Sequence, residues 1–258
     1  MITANLTVRN LEQAWLGVMR EIMTRGREYR KDDSTRAGML RKALDWMSVT
    51  ITHPEERPLV PLSKPGCIST CSEADAEQYL LTYLYTNEPP SPNEHYTYAQ
   101  WLMSGIDYTV RRYAEGGFYT QKAIMSVGQV FDDMLKCVNG KSIPCLRSID
   151  TRIIKKFEIC PICIGFSAKK NAQYCPYCES KGTIDKNYLH YYIHFRCWNW
   201  FGAMPLEMAG FQMLKEAHCQ LISEAAGREV FPGPTVAFSK DVHINDIEWS
   251  AAKAWLGM

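Results

Sequence analysis

The sequence predicts an α+β fold, a sheet with helices packed on it, and three observations predict it. Apolar residues recur at helical spacing over Asn10–Met23 and again over Pro205–Glu224. Between them, Ala123–Val127, Leu146–Phe157 and Tyr188–Phe195 carry the β-branched and aromatic content of strands. A composition of 46% hydrophobic and 22% charged residues over 258 positions suffices for one substantial core. A single unit spanning 1–258 is therefore expected.

Taken in order, Leu11, Trp15, Val18 and Ile22 mark a first amphipathic helix, and a second helical pattern follows around Ala37–Met47. The connection Arg25–Asp33 contains four basic groups and reads either as a solvated loop or as a phosphate-gripping one. Val49–Thr52 alternates and stops at Pro54, as a short strand does. Pro58–Cys71 is irregular, with three prolines and a glycine, and Ser72-Glu73-Ala74-Asp75 then opens a helix running to about Thr86. Pro89, Pro90 and Pro92 enforce a loop before Tyr96-Thr97-Tyr98, and another helix covers Gly105–Ala114. Leu206, Ala209, Gly210, Met213, Leu214 and Ala217 make the helix from Pro205 long and mostly buried.

With 29 Lys and Arg against 28 Asp and Glu, no global field draws the chain to nucleic acid or to acidic membrane. A small phosphorylated ligand, gripped locally, suits that balance better than a polymer. Met1–Leu6 lacks a basic stretch leading into an apolar core, and no run approaches the length of a membrane span, so a cytoplasmic location is expected. Ten cysteines in such a compartment read as ligands or catalytic groups rather than disulfides. Cys160-Pro-Ile-Cys163 and Cys175-Pro-Tyr-Cys178 place two sulfurs each on a tight turn. Four thiolates enclose Zn²⁺ with no position open to water, so a structural zinc ribbon over 158–182 is expected, stabilising the fold or a dimer.

The stretch Tyr192–Glu216 contains Arg196-Cys197-Trp198-Asn199, a short aromatic and glycine turn, and Pro205-Leu206-Glu207 opening the buried helix. It resembles the signature of the thymidylate synthase superfamily, where Arg-Ser-x-Asp ends a strand and Pro-x-Asn opens the central helix. Ile143-Pro144-Cys145 resembles the family's Pro-Cys nucleophile motif, Asp241-Val242-His243-Ile244-Asn245 its Asp-x-His-x-Tyr sugar-binding segment, and Tyr96-Thr97-Tyr98 its tyrosine-bearing active-site loop. The four motifs come in the family's order from about residue 72 onward. The resemblance implies a thymidylate synthase-like mixed sheet around a long buried central helix, interrupted by the zinc ribbon.

It also implies roles. Cys145 would add as thiolate to carbon 6 of a pyrimidine nucleoside monophosphate, with 5,10-methylenetetrahydrofolate as one-carbon donor and Arg196 gripping the phosphate. The family is a homodimer whose second subunit supplies paired arginines to the phosphate; Gln121 and Lys122 stand there, and Arg25, Arg27, Arg30 or Arg36 are candidates to compensate. His243 would hold the sugar, Asn245 replaces the family's tyrosine and Cys197 its serine. Asn199 replaces the aspartate that contacts folate, and Glu77 and Tyr98 are candidate catalytic groups. Glu207 stands where the family has the asparagine that reads uracil. A protonated carboxyl can donate to cytosine N3 and accept from its exocyclic amine, provided burial raises its pKa; Glu207 can equally cap its helix. The expectation is hydroxymethylation of dCMP or CMP at carbon 5, with thymidylate synthase or dUMP hydroxymethylase as the alternative. A binding protein that keeps the scaffold without activity is the alternative from another class.

Overall fold

The structure, a computed structural model, describes residues 1–32, 38–86, 89–90, 95–138, 143–165 and 174–258. Strand β1 (Thr3–Val8) leads into α1 (Leu11–Arg25), whose start is fixed by the Asn10 side chain accepting from the Gln13 amide. Then come β2 (Arg27–Arg30), β3 (Leu40–Leu44), β4 (Trp46–Ile51) and α2 (Glu73–Tyr79), which continues into a π-helical turn at Leu80–Leu84. Helix α3 (Ala99–Glu115), β5 (Ala123–Ser126) and α4 (Val130–Val138) precede the paired strands β6 (Leu146–Ile159) and β7 (Thr183–Phe195). The chain closes with β8 (Trp198–Asn199), α5 (Met204–Ala226), β9 (Val230–Ser239), β10 (Val242–Asn245) and α6 (Trp249–Leu256).

Two mixed sheets result, one ordered β1-β4-β9-β7-β6-β5 and one ordered β2-β3-β10-β8. In the larger, β1 runs parallel to β4 and β9 parallel to β7, while the other pairings are antiparallel. Helix α5 is the centre of the core. It buries Met208, Ala209, Gly210, Phe211 and Leu214, starts with Pro205 in its first turn, and ends at Gly227 in the left-handed region, φ 61°. Gly210 lets α2 approach, for a Cβ there would lie 2.7 Å from the Tyr79 ring.

The long buried helix, the helix from Ser72 and the three central strands lie where the sequence predicts them. The expectation of a helix around Ala37–Met47 is overturned: residues 33–37 lie outside the described set, and Leu40–Leu44 and Trp46–Ile51 are strands. Met47, Val49 and Ile51 are buried while Ser48 and Thr50 are less so, a two-residue period that pairing with β1 and β9 selects. The charged connection contains the edge strand β2, and its arginines serve the fold: Arg25 bonds Glu21 and the Thr3 carbonyl, Arg27 bonds Asp45 at 3.0 Å, and Arg30 bonds the Gly38 carbonyl at 3.0 Å. Arg36 lies outside the described residues.

Candidate active site and metal centre

Cys145 immediately precedes β6 and Arg196-Cys197 immediately follow β7. Because the two strands are antiparallel neighbours, these ends meet, and the Arg196 amide donates to the Cys145 carbonyl at 2.8 Å. A register shift between Leu146 and Ser148 breaks the ladder just inside this end, the kind of irregularity that re-aims side chains. The two sulfurs stand 3.4 Å apart.

Arg196 clamps the segment ahead of Cys145. Its Nε donates to the Pro144 carbonyl and its Nη2 to the Ile143 carbonyl, both at 3.0 Å, and its Nη1 donates to Cys197 Sγ at 3.3 Å. These bonds use three of the five N–H groups of a guanidinium, leaving two for an anion. The tyrosine loop packs on the same segment: Tyr96 donates to the Ile143 carbonyl at 3.2 Å, and the Leu146 amide donates to the Tyr98 hydroxyl at 3.3 Å. Burial, with Glu207 nearby, holds the Tyr98 phenol well above its ordinary pKa.

Charge is distributed unequally over the two thiols. The bond with Cys197 and burial push the Cys145 pKa up, whereas the bond from Cys145, helped by Arg196 and His243, draws that of Cys197 down. Glu207, in the first turn of α5, accepts from the Trp198 indole at 2.5 Å. Burial raises its pKa to about 8, opposed by that bond, and its charge is felt at Cys145, Cys197 and Tyr98.

Strand β8 lies parallel to β10, which aligns Asn199 with His243. His243 is buried, with Nδ1 3.5 Å from the Asp241 carboxylate, an ion-pair distance if the ring is protonated. Asn199 is half-buried; its Nδ2 donates to Glu248 at 3.0 Å, and the Gly202 amide approaches its Oδ1 at 3.4 Å. One amide hydrogen and part of the carbonyl remain for a further partner. Asn245 is buried and more fully engaged. It accepts from Arg41 at 3.1 Å, donates to Glu248 at 3.0 Å, and caps the short helix that follows, Asp246–Glu248.

Two groups of sequence-predicted residues stay apart from this cluster. Glu77 is exposed on α2, with no described side-chain contact to Cys145. Gln121 and Lys122 are exposed just ahead of β5, an edge strand of the larger sheet, and likewise make no described side-chain contact with Arg196. Sequence reasoning missed Tyr29, Arg41 and Glu248, which buttress Asp241, Asn245 and Asn199. For Tyr29 and Arg41 the signal is pairing of β2 with β3 and of β3 with β10, visible once register is known, and for Glu248 it is the Asn-x-x-Glu capping spacing.

At the opposite end of β6 and β7 lie Cys160, Cys163, Cys175 and Cys178, with all four sulfurs within 4.8 Å of one another. Cys160 Sγ is 3.9 Å from Cys175 Sγ, and Cys163 Sγ 3.7 Å from Cys178 Sγ. A tetrahedron with zinc–sulfur bonds of about 2.3 Å has edges of about 3.8 Å, so the group can hold a metal ion such as zinc. The two turns share a design. Amides of Ile162 and Cys163 point at the Cys160 sulfur, and the residue after each second cysteine takes a left-handed conformation, Ile164 at φ 49° and Glu179 at φ 50°. The cluster is a satellite, separate from the main core. No helix among the described residues is long and apolar enough to cross a membrane. No protein-family model matches the chain, and no curated protein matches it either.

Proposed function

We propose that the chain is a one-carbon transferase that adds a hydroxymethyl group to carbon 5 of a cytidylate, through a covalent adduct of Cys145 at carbon 6. The observation that carries this reading is the half-buried Glu207 carboxyl, held by the Trp198 indole near the two thiols, with its pKa raised to about 8. At neutral pH it is mostly protonated. It can donate to cytosine N3 and accept from the exocyclic amine, and it can pass its proton to N3 as sulfur adds to carbon 6.

The other roles follow from what each side chain has left to offer. Arg196 keeps two N–H groups for the phosphate while its other three hold the nucleophile segment. His243 faces the sugar from β10. Methylenetetrahydrofolate, the proposed donor, supplies the carbon at the oxidation level of formaldehyde. Asn199 orients its ring, Tyr98, kept protonated, is a hydrogen-bond donor in the site, and the carbon 5 proton leaves to a water molecule acting as base. In the four-cysteine site we propose Zn²⁺ with a structural role, since four thiolates leave no place for substrate. A second subunit is proposed to bring Gln121 and Lys122 to the phosphate.

The deciding experiment measures tritium release from carbon 5 of dCMP, CMP and dUMP with methylenetetrahydrofolate. Release from a cytidylate with a hydroxymethyl product supports the reading; release from dUMP alone overturns it in favour of a thymidylate synthase-type reaction. No release from any of the three removes the enzymatic reading.

A further inference from the structure

Cys197 has a neighbour no ordinary serine at its position would exploit. Its sulfur lies 3.4 Å from that of Cys145 and receives the Arg196 Nη1 hydrogen at 3.3 Å. The guanidinium therefore donates to Cys197 and not to Cys145, while its charge is felt at both sulfurs. With that donor fixed, the remaining contact between the sulfurs has one sensible polarity: the Cys145 thiol donates and the Cys197 sulfur accepts.

We infer that Cys197 is a second catalytic residue, resting as the thiolate of a thiol–thiolate pair and taking the proton of Cys145 when Cys145 attacks. This deepens the reading of Cys145 as nucleophile and rests on it. The step balances without any outside reagent. The Cys145 sulfur forms a bond to the electrophilic carbon, the π pair of that carbon moves into the ring, and the S–H proton passes to Cys197. On elimination the carbon–sulfur bond breaks, its electrons return to sulfur, and Cys197 gives the proton back. The reacting atom and its base are thus in direct contact, which proton transfer requires before any matching of pKa values.

The charged surroundings favour this placement. Arg196 and His243 face Cys197 and stabilise its negative charge, whereas Asp241 opposes them. Glu207 faces both sulfurs; a carboxylate there would oppose a thiolate, but its proton removes the conflict at neutral pH. Tyr98, also held protonated, contributes no charge. An isolated thiol in so buried a place would ionise later than in water; the pair ionises earlier, because one negative charge is shared with a guanidinium beside it.

The test is the pH dependence of alkylation at Cys145, followed by peptide-resolved mass spectrometry with iodoacetamide on the full chain, with no nucleotide or folate present. For the wild type the rate at Cys145 should follow ionisation of its base Cys197, with an inflection below about pH 7.5, the upper end for activated thiols, against about 8.5 for an ordinary one. In Cys197→Ser and Cys197→Ala the inflection should move up by at least about one unit, so that the rate at about pH 7 falls by about tenfold or more. In Cys145→Ser, thiolate absorbance near neutral pH should persist, since Arg196 still faces Cys197. An inflection at Cys145 that is the same in wild type and both Cys197 variants overturns the inference, as does a wild-type inflection above about 8. A circular dichroism melt of each variant separates these outcomes from misfolding. Because the assay uses no substrate, a negative tritium experiment leaves its result standing, and the two failures are distinguishable.

Discussion

The indole of Trp198 donates to the Glu207 carboxyl at 2.5 Å, across the join between β8 and α5; the indole is buried, the carboxyl half-buried, and its charge is felt at Cys145. The contact does two things at once. It satisfies the indole N–H, and it fixes the rotamer of a carboxyl whose free oxygen is left for another partner.

Glu207 makes stability depend on pH with a definite sign. Its pKa is about 8 in the folded chain against an ordinary 4.5, so between those values the folded state keeps a proton the unfolded chain has lost. Its contribution is therefore fully present below about pH 4.5 and is lost as pH rises through about 8, with a slope of at most about 1.4 kcal/mol per pH unit. Urea unfolding from about pH 5 to about pH 8 should show this decline in wild type and a shallower one in Glu207→Gln. Equal slopes in the two proteins would show that Glu207 is ionised throughout.

Trp198→Phe should cost about 1–3 kcal/mol, the penalty for leaving a buried carboxyl oxygen without its donor. Since the indole bond lowers the Glu207 pKa, its loss should move the Glu207 titration upward. An infrared titration of the carboxyl stretch, assigned by difference against Glu207→Gln, reads the shift directly; a downward movement would mean that water replaces the indole.

A buried lysine pulls in the opposite direction. Lys215 donates to the Gly233 carbonyl at 2.7 Å and to Thr235 at 2.6 Å, and burial lowers its pKa to about 7. The unfolded chain then holds the extra proton above about pH 7, so stability rises from there toward about pH 10.5, and Lys215→Met should abolish the rise. Lys215→Ala should lose about 2–4 kcal/mol from the cavity and the orphaned carbonyl. Thermal melts in the range pH 7 to about 10 distinguish the two variants from wild type.

Cys145→Ala should lower the tritium-release activity by about three orders of magnitude or more, as removal of a nucleophile does, while the melting temperature moves little. A variant that keeps a tenth of the activity would assign the attack to another group, Cys197 being the one within reach.

How far the sequence carried these conclusions differs from element to element. Helix α5 was legible because apolar residues dominate its first turns, and β6 and β7 because aromatic and β-branched residues crowd them. The helical spacing of Leu40, Ala43, Leu44 and Met47 misled, since a short apolar run fits two periods and only the partners β1, β9 and β10 choose between them. Strand β9 hid behind Pro232-Gly233-Pro234. Those residues are tolerated because pairing with β4 begins only at Thr235, and because the register with β7 shifts between Leu189 and Tyr191. In the site, motif order brought out Cys145, Arg196, Glu207 and His243, which the fold gathers. Glu77 rested on local similarity alone, and its helix turns it to solvent. Tyr29 and Arg41 were illegible because each reaches the site through long-range strand pairing, whereas Glu248 stands three residues after Asn245 in a capping-box spacing that the sequence does record.

The four cysteines terminate a hairpin that has company on one side only. From Asn187 onward β7 is bonded to both β6 and β9, but Thr183–Lys186 pairs with β6 alone. Chelation should therefore raise hydrogen exchange in Lys155–Lys186 and leave the amides around Leu146 and Phe195 protected, the two ends of one pair of strands behaving as separate cooperative units. Exchanging residues 160–182 for an Asn-Gly turn should likewise leave a folded chain with Cys145 and Arg196 in register. A metal held by the four cysteines would then brace only its own end of the hairpin, and its loss would leave the Cys145 and Arg196 end in place.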